Sequence, residues 1–238
     1  ISTPDDIPLY QNLLGDGSQL GLNIKYKIQT NPNGLAEAFI LGEEFIDNQK
    51  VTLILGDNFF YGQNFSSILN QAITNSGATL FLYSISNPSA YGVAEIDSNQ
   101  QIISIQEKPK IPKSNLAVTG LYFFDENVCK YAKSLSPSLR GELEITDLNK
   151  IYLENQSLNY VTLGRGFTWM DAGSFETLHS LGNFVSSLQN RQGMQIGCIE
   201  EIALNKGWIN VDELKELIDF LGNNEYTNYL NNLIEKSV

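Results

Sequence analysis

An α/β fold with a mixed, mostly parallel central sheet is predicted by three features of the sequence. A continuous apolar run covers residues 51–55 and stops at Gly56 and Asp57, which is typical of a strand buried on both faces. A second apolar run covers residues 78–85. Segments of helical composition precede both runs. Strands and helices therefore alternate along the chain, as they do when helices cover the faces of a sheet.

The composition indicates a folded, acidic protein. The chain has 238 residues, of which 42% are hydrophobic, and this is enough for one large domain or a domain with an appendage. The net charge is −12 and no run of Lys or Arg occurs, which argues against a nucleic acid or an anionic membrane as partner. Cys129 and Cys198 match no metal or redox spacing, so we expect buried thiols in a reducing cytoplasm.

Turn and capping residues delimit the individual elements. Thr3 and Pro4 are typical of a helix start and Gly15 of a helix end, and Asn64 is expected to cap a later helix. The predicted helices are 3–15, 35–46, 64–73, 144–155, 173–189, 211–221 and 225–234. The predicted strands are 24–28, 51–55, 78–85, 93–96, 102–106, 116–124 and 158–163, of which 93–96 and 102–106 form a hairpin.

The chain is predicted to divide at residue 190. Residues 1–190 would form the α/β domain, and residues 191–238 a small helical subdomain, because amphipathic helical segments dominate there. This subdomain is expected to make an oligomer contact or a lid, or to be a packing appendage, and the sequence favours neither function.

Two separated carboxylates are the candidate metal ligands. Asp57 follows the first apolar run, at the end of a strand where ligands bind in parallel sheets, and its hard oxygens suit a phosphate-bound Mg²⁺. Asp171 lies in the polar stretch 169–173, before a predicted helix. The alternatives are that Asp57 is a turn or cap residue, that Asp171 caps the following helix, and that Trp169 is a core residue.

Other polar residues also follow apolar runs. Gln29 offers a donor and an acceptor, which suits a base edge, and Gly34 lets the backbone approach a ring closely. Glu107 can accept from sugar hydroxyls, Lys108 can neutralise a phosphate, and Arg140 can clamp one with two donors. Alternatively, Gln29 only satisfies backbone groups, and Lys108 and Arg140 are solvated surface charges.

His179, by contrast, falls within a predicted helix and is interpreted as structural or exposed rather than catalytic.

In order along nearly the whole chain, these motifs resemble those of the sugar-phosphate nucleotidylyltransferases, and among them the enzymes that form dTDP-glucose. The matching stretches are 2–4, 14–18, 29–36, 55–58, 91–93, 105–109, 119–122, 140–147, 164–166, 191–193, 198–203 and 207–209. The resemblance implies a Rossmann-like nucleotide-diphospho-sugar transferase fold.

The resemblance also implies a reaction and roles for residues. A phosphate oxygen of glucose 1-phosphate would attack the α-phosphorus of dTTP and release pyrophosphate, at an early step of dTDP-sugar biosynthesis such as the dTDP-rhamnose pathway. By resemblance, Mg²⁺ lies between Asp57 and Asp171, and Lys108 and Arg140 hold the attacking phosphate, so these four form the catalytic set. The implied substrate contacts are Gln29 and Gly34 for thymine, Tyr91 as a stacking wall, and Asn58, Gly92, Glu107, Val118 and Tyr122 around the sugar.

Regulation and assembly are implied in the same way. Arg165, Tyr61 and Gly62 could form a feedback site for a dTDP-sugar near subunit contacts, with an exposed loop Arg as the alternative. A dimer or tetramer is expected. The residues do not decide between dTTP and UTP, which differ by one methyl group.

The N-terminal end departs from the family pattern. The family opens with a strand and a Gly-rich loop that wraps the nucleotide phosphates, whereas this chain begins with Ile1 and the end of an apparent strand. We therefore expect an N-terminal piece to be missing. One alternative to an active transferase is therefore an inactive truncated fragment that folds, oligomerises or binds nucleotide-sugar. Another, built around Asp57, is a Mg²⁺-dependent phosphohydrolase, which the lack of an Asp-x-Asp motif makes the last choice.

Overall fold

The computed structural model describes residues 1–237, and the elements within that range are as follows. The helices are α1 Ile7–Leu14, α2 Glu37–Leu41, α3 Glu43–Ile46, α4 Phe65–Ala72, α5 Val128–Ser134, α6 Ile145–Glu154, α7 Phe175–Gln192, α8 Ile199–Asn205, α9 Val211–Leu221 and α10 Glu225–Ser237. The strands are β1 Val51–Ile54, β2 Asn58–Gly62, β3 Ala78–Ser84, β4 Gly92–Ile96, β5 Ile102–Glu107, β6 Leu116–Phe124, β7 Leu158–Leu163 and β8 Phe167–Asp171.

The chain forms two compact units, 31–178 and 1–30 together with 179–238. The first unit holds all eight described strands, and the second is helical. These units divide the chain elsewhere than at residue 190, and the boundary between domains 1–190 and 191–238 stays a prediction.

A six-stranded sheet organises unit 31–178. Its order is β5-β4-β6-β3-β7, and β1 also pairs with β6. The α/β class is confirmed, but the expectation of mostly parallel strands is wrong, since β3–β7 is the one parallel pair in this described sheet. The reason is β6, which runs antiparallel between β1 and β3. Strands β1, β3 and β7 still point the same way, so their carboxyl ends lie toward the same edge of the sheet.

The β6 strand builds the core on both faces of this sheet. Successive side chains of a strand point to opposite faces. Tyr122 and Phe124 join one buried cluster, where the Phe124 ring packs 5.0 Å from Phe39 and 5.6 Å from Tyr152. Leu121 and Phe123 join a second cluster beneath α4. The α4 helix follows Asn64 as predicted, although the Asn64 side chain makes no capping bond.

The β1 strand is half-buried rather than buried on both faces, which corrects the prediction. Its burial alternates: Val51 and Leu53 pack against the core, whereas Thr52 is exposed and Ile54 is 57% exposed. The described residues do not cover the outward face of β1. The apolar run 51–55 was predicted to be buried on both faces, but β1 is buried on one face only.

Three elements of unit 31–178 were missed by the sequence-based prediction. Strands β2 and β8 pair antiparallel in a separate two-stranded sheet, although neither stretch is among the predicted strands. Helix α5, which packs Val128, Cys129 and Ala132 into the core, was also missed. The two strands are stabilised by a pairing between residues more than a hundred positions apart, which local patterns do not report.

One polar side chain is buried without compensation in α6. Asn149 is 1% exposed, and neither its Nδ2 nor its Oδ1 has a hydrogen-bond partner among the described residues. An unpaired buried amide costs free energy of folding.

The second unit packs α8, α9 and α10 around a small core that contains Leu214 and Leu230. Helix α9 covers the predicted range 211–221 and begins with a capping box, in which Asn210 and Glu213 each bond the other's backbone N–H. The predicted strand 24–28 is wrong: in this stretch the structure has an isolated parallel bridge between Ser2 and Ile28.

Further predictions concern single residues and membrane spans. Cys129 and Cys198 are buried and free, and His179 is exposed on α7, as expected. Within the part of the chain that the structure describes, no helix combines the length and apolar character needed to cross a bilayer.

Candidate active site

Asp57 and Asp171 line one cleft in unit 31–178. The register of β2 and β8 places Asn58 opposite Asp171, and the Ala172 N–H donates to the Asp57 carbonyl oxygen at 2.8 Å. Asp57 follows the end of β1, whereas Asp171 is the last residue of β8. The small sheet therefore brings together two carboxylates that are far apart in sequence.

The charges of both carboxylates act on the hydroxyl of Tyr91. Burial raises the pKa of its hydroxyl, and the negative charges of Asp171 and Asp57 raise this pKa further. Its ring lies 4.9 Å from the Trp169 ring, edge to face. Because both charges act on one hydroxyl, the two carboxylates share one electrostatic environment.

Asn58 connects this environment to the main sheet. Its Oδ1 accepts from the Gly120 N–H at 3.0 Å and from the Trp169 indole N–H at 2.6 Å, and its Nδ2 donates to Asp57 Oδ1 at 2.8 Å. A Cβ at position 120 would lie 2.6 Å from Asn58 Cγ, so only glycine fits there. The Asp57 carboxylate is thereby tied to β6 and β8.

Glu107 and Lys108 enter the cleft from the end of β5. The Thr146 hydroxyl donates to Glu107 Oε2 at 2.5 Å, which fixes that carboxylate. Lys108 has φ of 40°, an unusual backbone conformation for a residue with a side chain, and its N–H donates to the Tyr91 carbonyl at 3.1 Å. Strain of this kind concentrates at functional sites.

Arg140 is paired with carboxylates rather than simply solvated. Its Nε and Nη2 donate to the two Glu144 oxygens at 3.1 and 2.7 Å, and Nη2 lies 3.6 Å from Glu142 and 3.9 Å from Glu107. Burial raises the pKa of Glu144, but the bonds from Arg140 and Ser138 outweigh it and leave this pKa below 4.5. Arg140 is connected to the cleft by its contact with Glu107, which is one of the lining residues.

Gly34 does not line the cleft in the described structure. A Cβ at Gly34, where φ is +103°, would lie 2.4 Å from the Leu143 carbonyl oxygen. The close approach that requires glycine is therefore to the Leu143 backbone, although the next residue, Leu35, does line the cleft. Gln29 belongs to the other unit, where its backbone N–H donates to Ser2 at 2.9 Å.

The remaining predicted substrate residues line the cleft, together with some that were not predicted. Gly92, Val118 and Tyr122 are part of the wall. Residues missed as site residues include Gly120, Thr146 and Trp169. Trp169 lies within the predicted polar stretch 169–173, so its neighbours in sequence were the available signal. Gly120 and Thr146 lie inside a strand and a helix, and their available signal was the resemblance of the stretches 119–122 and 140–147 to the family.

The pair of carboxylates fits a magnesium ion that is shared with a substrate. Among residues 1–237, no cluster of three or more His, Cys, Asp or Glu side chains could enclose a metal by itself. Mg²⁺ needs no such cage, because it is commonly held by one or two carboxylates, water and substrate phosphates. Asp57 and Asp171 line one cleft and would supply the two carboxylates of such a set.

The sequence matches a known protein family and named relatives in it. The profile of the family described as "Nucleotidyl transferase" matches residues 1–187. Proteins named glucose-1-phosphate thymidylyltransferase are 50% identical in Neisseria meningitidis, over 99% of this chain and 82% of the relative, and 44% identical in Mycobacterium tuberculosis, over 100% and 82%.

Solved structures agree with this grouping. A Bacillus anthracis protein provisionally named glucose-1-phosphate thymidylyltransferase, solved with sucrose, superposes with a TM-score of 0.71 at 35% identity, over 84% of this chain and 77% of that one. A UDP-glucose pyrophosphorylase superposes with a TM-score of 0.61 at 22% identity, over 68% and 66%, which indicates the fold alone. These matches confirm the resemblance found in the sequence, and the chain belongs to the nucleotidyl transferase family.

Proposed function

We propose that the chain transfers the thymidylyl group of dTTP to glucose 1-phosphate, forming dTDP-glucose and pyrophosphate. The observation that carries this proposal is the pairing of Asn58 with Asp171, which places two carboxylates in a cleft that also holds Lys108. The relatives that bear this enzyme's name, at 41–50% identity over nearly the whole chain, supply the substrate pair.

The proposed chemistry needs no protein nucleophile. A phosphate oxygen of glucose 1-phosphate forms a bond to the α-phosphorus of dTTP, and the bond to pyrophosphate breaks. The chain's residues bind and orient two anions and offset their repulsion. Asp57 and Asp171 would hold Mg²⁺, which when bound neutralises charge on phosphate oxygens.

Both cations are assigned to the phosphate of glucose 1-phosphate in this proposal. Lys108, exposed at the cleft, binds the phosphate of glucose 1-phosphate. Arg140 has five N–H donors, and its bonds to Glu144 use those on Nε and Nη2. The other donors of its guanidinium are proposed to contact the same phosphate.

The sugar of glucose 1-phosphate and the base of dTTP are proposed to contact different residues. Glu107, held by Thr146, accepts from sugar hydroxyls beside Gly92 and Val118, with Asn58 and Tyr122 completing this part of the wall. Tyr91 stacks on the base or ribose. The role of Gln29 and Gly34 in reading thymine is implied by the resemblance alone and stays a prediction. The preference for dTTP over UTP would rest on one methyl group, worth about 1–3 kcal/mol.

Pyrophosphate release tests the proposal against its alternatives. The purified chain is incubated with dTTP, glucose 1-phosphate and Mg²⁺, with parallel reactions that omit the sugar phosphate or use Asp57→Asn. Pyrophosphate that depends on the sugar phosphate and on Asp57 is expected. Inorganic phosphate released from dTTP without the sugar would instead indicate the phosphohydrolase. Binding of dTDP-glucose without any turnover would indicate the inactive fragment.

A feedback site is a second, independent proposal. The register of β2 and β8 places Gly62 opposite Phe167, just after the loop that carries Arg165, and Tyr61 opposite Thr168. This arrangement favours a dTDP-sugar site around Arg165, Tyr61 and Gly62. Inhibition by a dTDP-sugar that survives Arg165→Ala would contradict it.

A dimer or tetramer in the cytoplasm stays a prediction, and the oligomer can be measured by light scattering.

A further inference from the structure

Trp169 and Asp57 are linked through the side chain of Asn58. The Trp169 indole N–H donates to Asn58 Oδ1 at 2.6 Å, and Asn58 Nδ2 donates to Asp57 Oδ1 at 2.8 Å. We infer that Trp169 is a positioning residue, which fixes the Asn58 amide so that it holds the Asp57 carboxylate in place for a divalent cation. This inference rests on the proposed role of Asp57 in binding Mg²⁺.

The orientation of the Asn58 amide follows from its neighbours. One side of the amide faces two N–H donors, the Gly120 backbone and the Trp169 indole. Only the carbonyl oxygen can accept from both, because an amide NH₂ there would meet two further donors. The NH₂ group must therefore face Asp57. Without the indole, one of the two bonds that select this orientation is lost.

The indole itself has little freedom. Trp169 is 7% exposed, and it lies opposite Phe60 in the β2–β8 pair. Its ring packs edge to face against Tyr91 at 4.9 Å and against Tyr83 at 6.1 Å. A donor held on a strand by two aromatic neighbours keeps a constant direction, which a mobile surface donor could not.

Asp57 needs such support because of its own position. It is an exposed residue in the turn between β1 and β2. The bond from Asn58 restrains the carboxylate through Oδ1 and leaves Oδ2 for the cation. Metal ligands are commonly oriented by hydrogen bonds from residues behind them.

A matched pair of variants tests the inference by Mn²⁺ binding, measured by EPR with dTTP present and glucose 1-phosphate left out, against samples of dTTP without protein. Trp169→Phe removes the indole donor and keeps an aromatic ring. The control Tyr83→Phe removes another bond to β8, from the Tyr83 hydroxyl to the Phe167 carbonyl at 2.9 Å, and keeps the ring beside Trp169. For Trp169→Phe, the Mn²⁺ dissociation constant is expected to rise about three- to tenfold, as for one lost hydrogen bond. Tyr83→Phe is expected to bind Mn²⁺ as the original chain does.

The outcomes separate this inference from the proposed function. Unchanged Mn²⁺ affinity in Trp169→Phe, or equal weakening in both variants, overturns the positioning role alone. An original chain that binds no Mn²⁺ beyond the amount held by dTTP alone overturns the metal role of Asp57, and the inference with it.

A second measurement does not depend on the fold of Trp169→Phe. The chain has two tryptophans, so Trp208→Phe identifies the indole N–H signal of Trp169 in an NMR spectrum. This proton is expected to exchange with solvent far more slowly than that of Trp208, which is 47% exposed, and to shift when Mg²⁺ is added. A Trp169 indole proton that exchanges as fast as that of Trp208 would overturn the inference.

Discussion

Asn58 and Asp171 lie opposite each other in the antiparallel pair of β2 and β8. Each of these residues is bound to a different part of unit 31–178: Asn58 accepts from Gly120 in β6, and Asp171 accepts from the Gly173 N–H at 2.7 Å in the turn before α7. The pairing thus joins the loop after β1 to the end of β8. If it were lost, the two carboxylates of the proposed metal site would no longer share a cleft.

Replacing Asp57 by asparagine is expected to lower turnover far more than stability. The variant loses a charge that neutralises and positions the substrates, so kcat should fall about a hundredfold or more. Asp57 is exposed, so the free energy of unfolding should change by about 0.5 kcal/mol or less. Steady-state kinetics and urea unfolding measure both. Asp219→Asn, on the exposed face of α9, is the control and should alter neither. Equal losses of activity in both variants would contradict the role of Asp57.

Replacing Lys108 by alanine is expected to weaken the use of glucose 1-phosphate. Removing a cation beside the attacking phosphate should raise the KM for glucose 1-phosphate about tenfold or more, with a smaller change in the KM for dTTP. Lys110→Ala removes an exposed lysine two positions away and serves as the control. If kcat and both KM values of Lys108→Ala match those of the original chain, the role assigned to Lys108 is wrong.

The ion pair of Arg140 with Glu144 predicts a pH dependence of stability. The folded-state pKa of Glu144 lies below its usual 4.5, so its contribution is fully present above pH 4.5 and is lost as pH falls through the lowered value. Glu144→Gln should therefore be less stable than the original chain at pH 7, by about 1 kcal/mol after allowance for the exposure of Arg140. Chemical unfolding at several pH values should show this difference shrinking below pH 4.5. A difference that stays constant down to pH 3, or one that also appears for exposed Glu216→Gln, would argue against this pair as its source.

The unpaired amide of Asn149 predicts a stabilising substitution. Leucine has a similar shape and no polar atoms, so Asn149→Leu should remove the cost of burying an unpaired amide, about 1–3 kcal/mol. Thermal unfolding should show a higher Tm than in the original chain. Asn70→Leu, at an exposed position of α4, is the matched control and should leave Tm nearly unchanged. A lower Tm in Asn149→Leu would mean that the amide is satisfied in the folded protein.

Hydrophobic patterns in the sequence were sufficient to predict those strands and helices that depend on residues close together in the chain. The run 116–124 and the run 158–163 match β6 and β7 to the residue, and the amphipathic spacing of 211–221 matches α9. The run 116–124 is buried along nearly its whole length, and the buried residues of α9 recur four positions apart, which a single sequence records. The strand at 24–28 failed for the opposite reason, because alternation there is not accompanied by a continuous partner strand among the described residues.

By itself, the sequence determined the mixed α/β class, most of its elements and the position of Asp57 after a strand, because these depend on hydrophobic periodicity and on turn residues close in the chain. It also supplied the ordered motifs by which the family was recognised. Only the tertiary structure decided that β6 runs antiparallel between β1 and β3, that Asn58 pairs with Asp171, and that Trp169 bonds the amide beside Asp57. Each of these is a contact between residues more than thirty positions apart in sequence, and such contacts form only when the whole unit has folded.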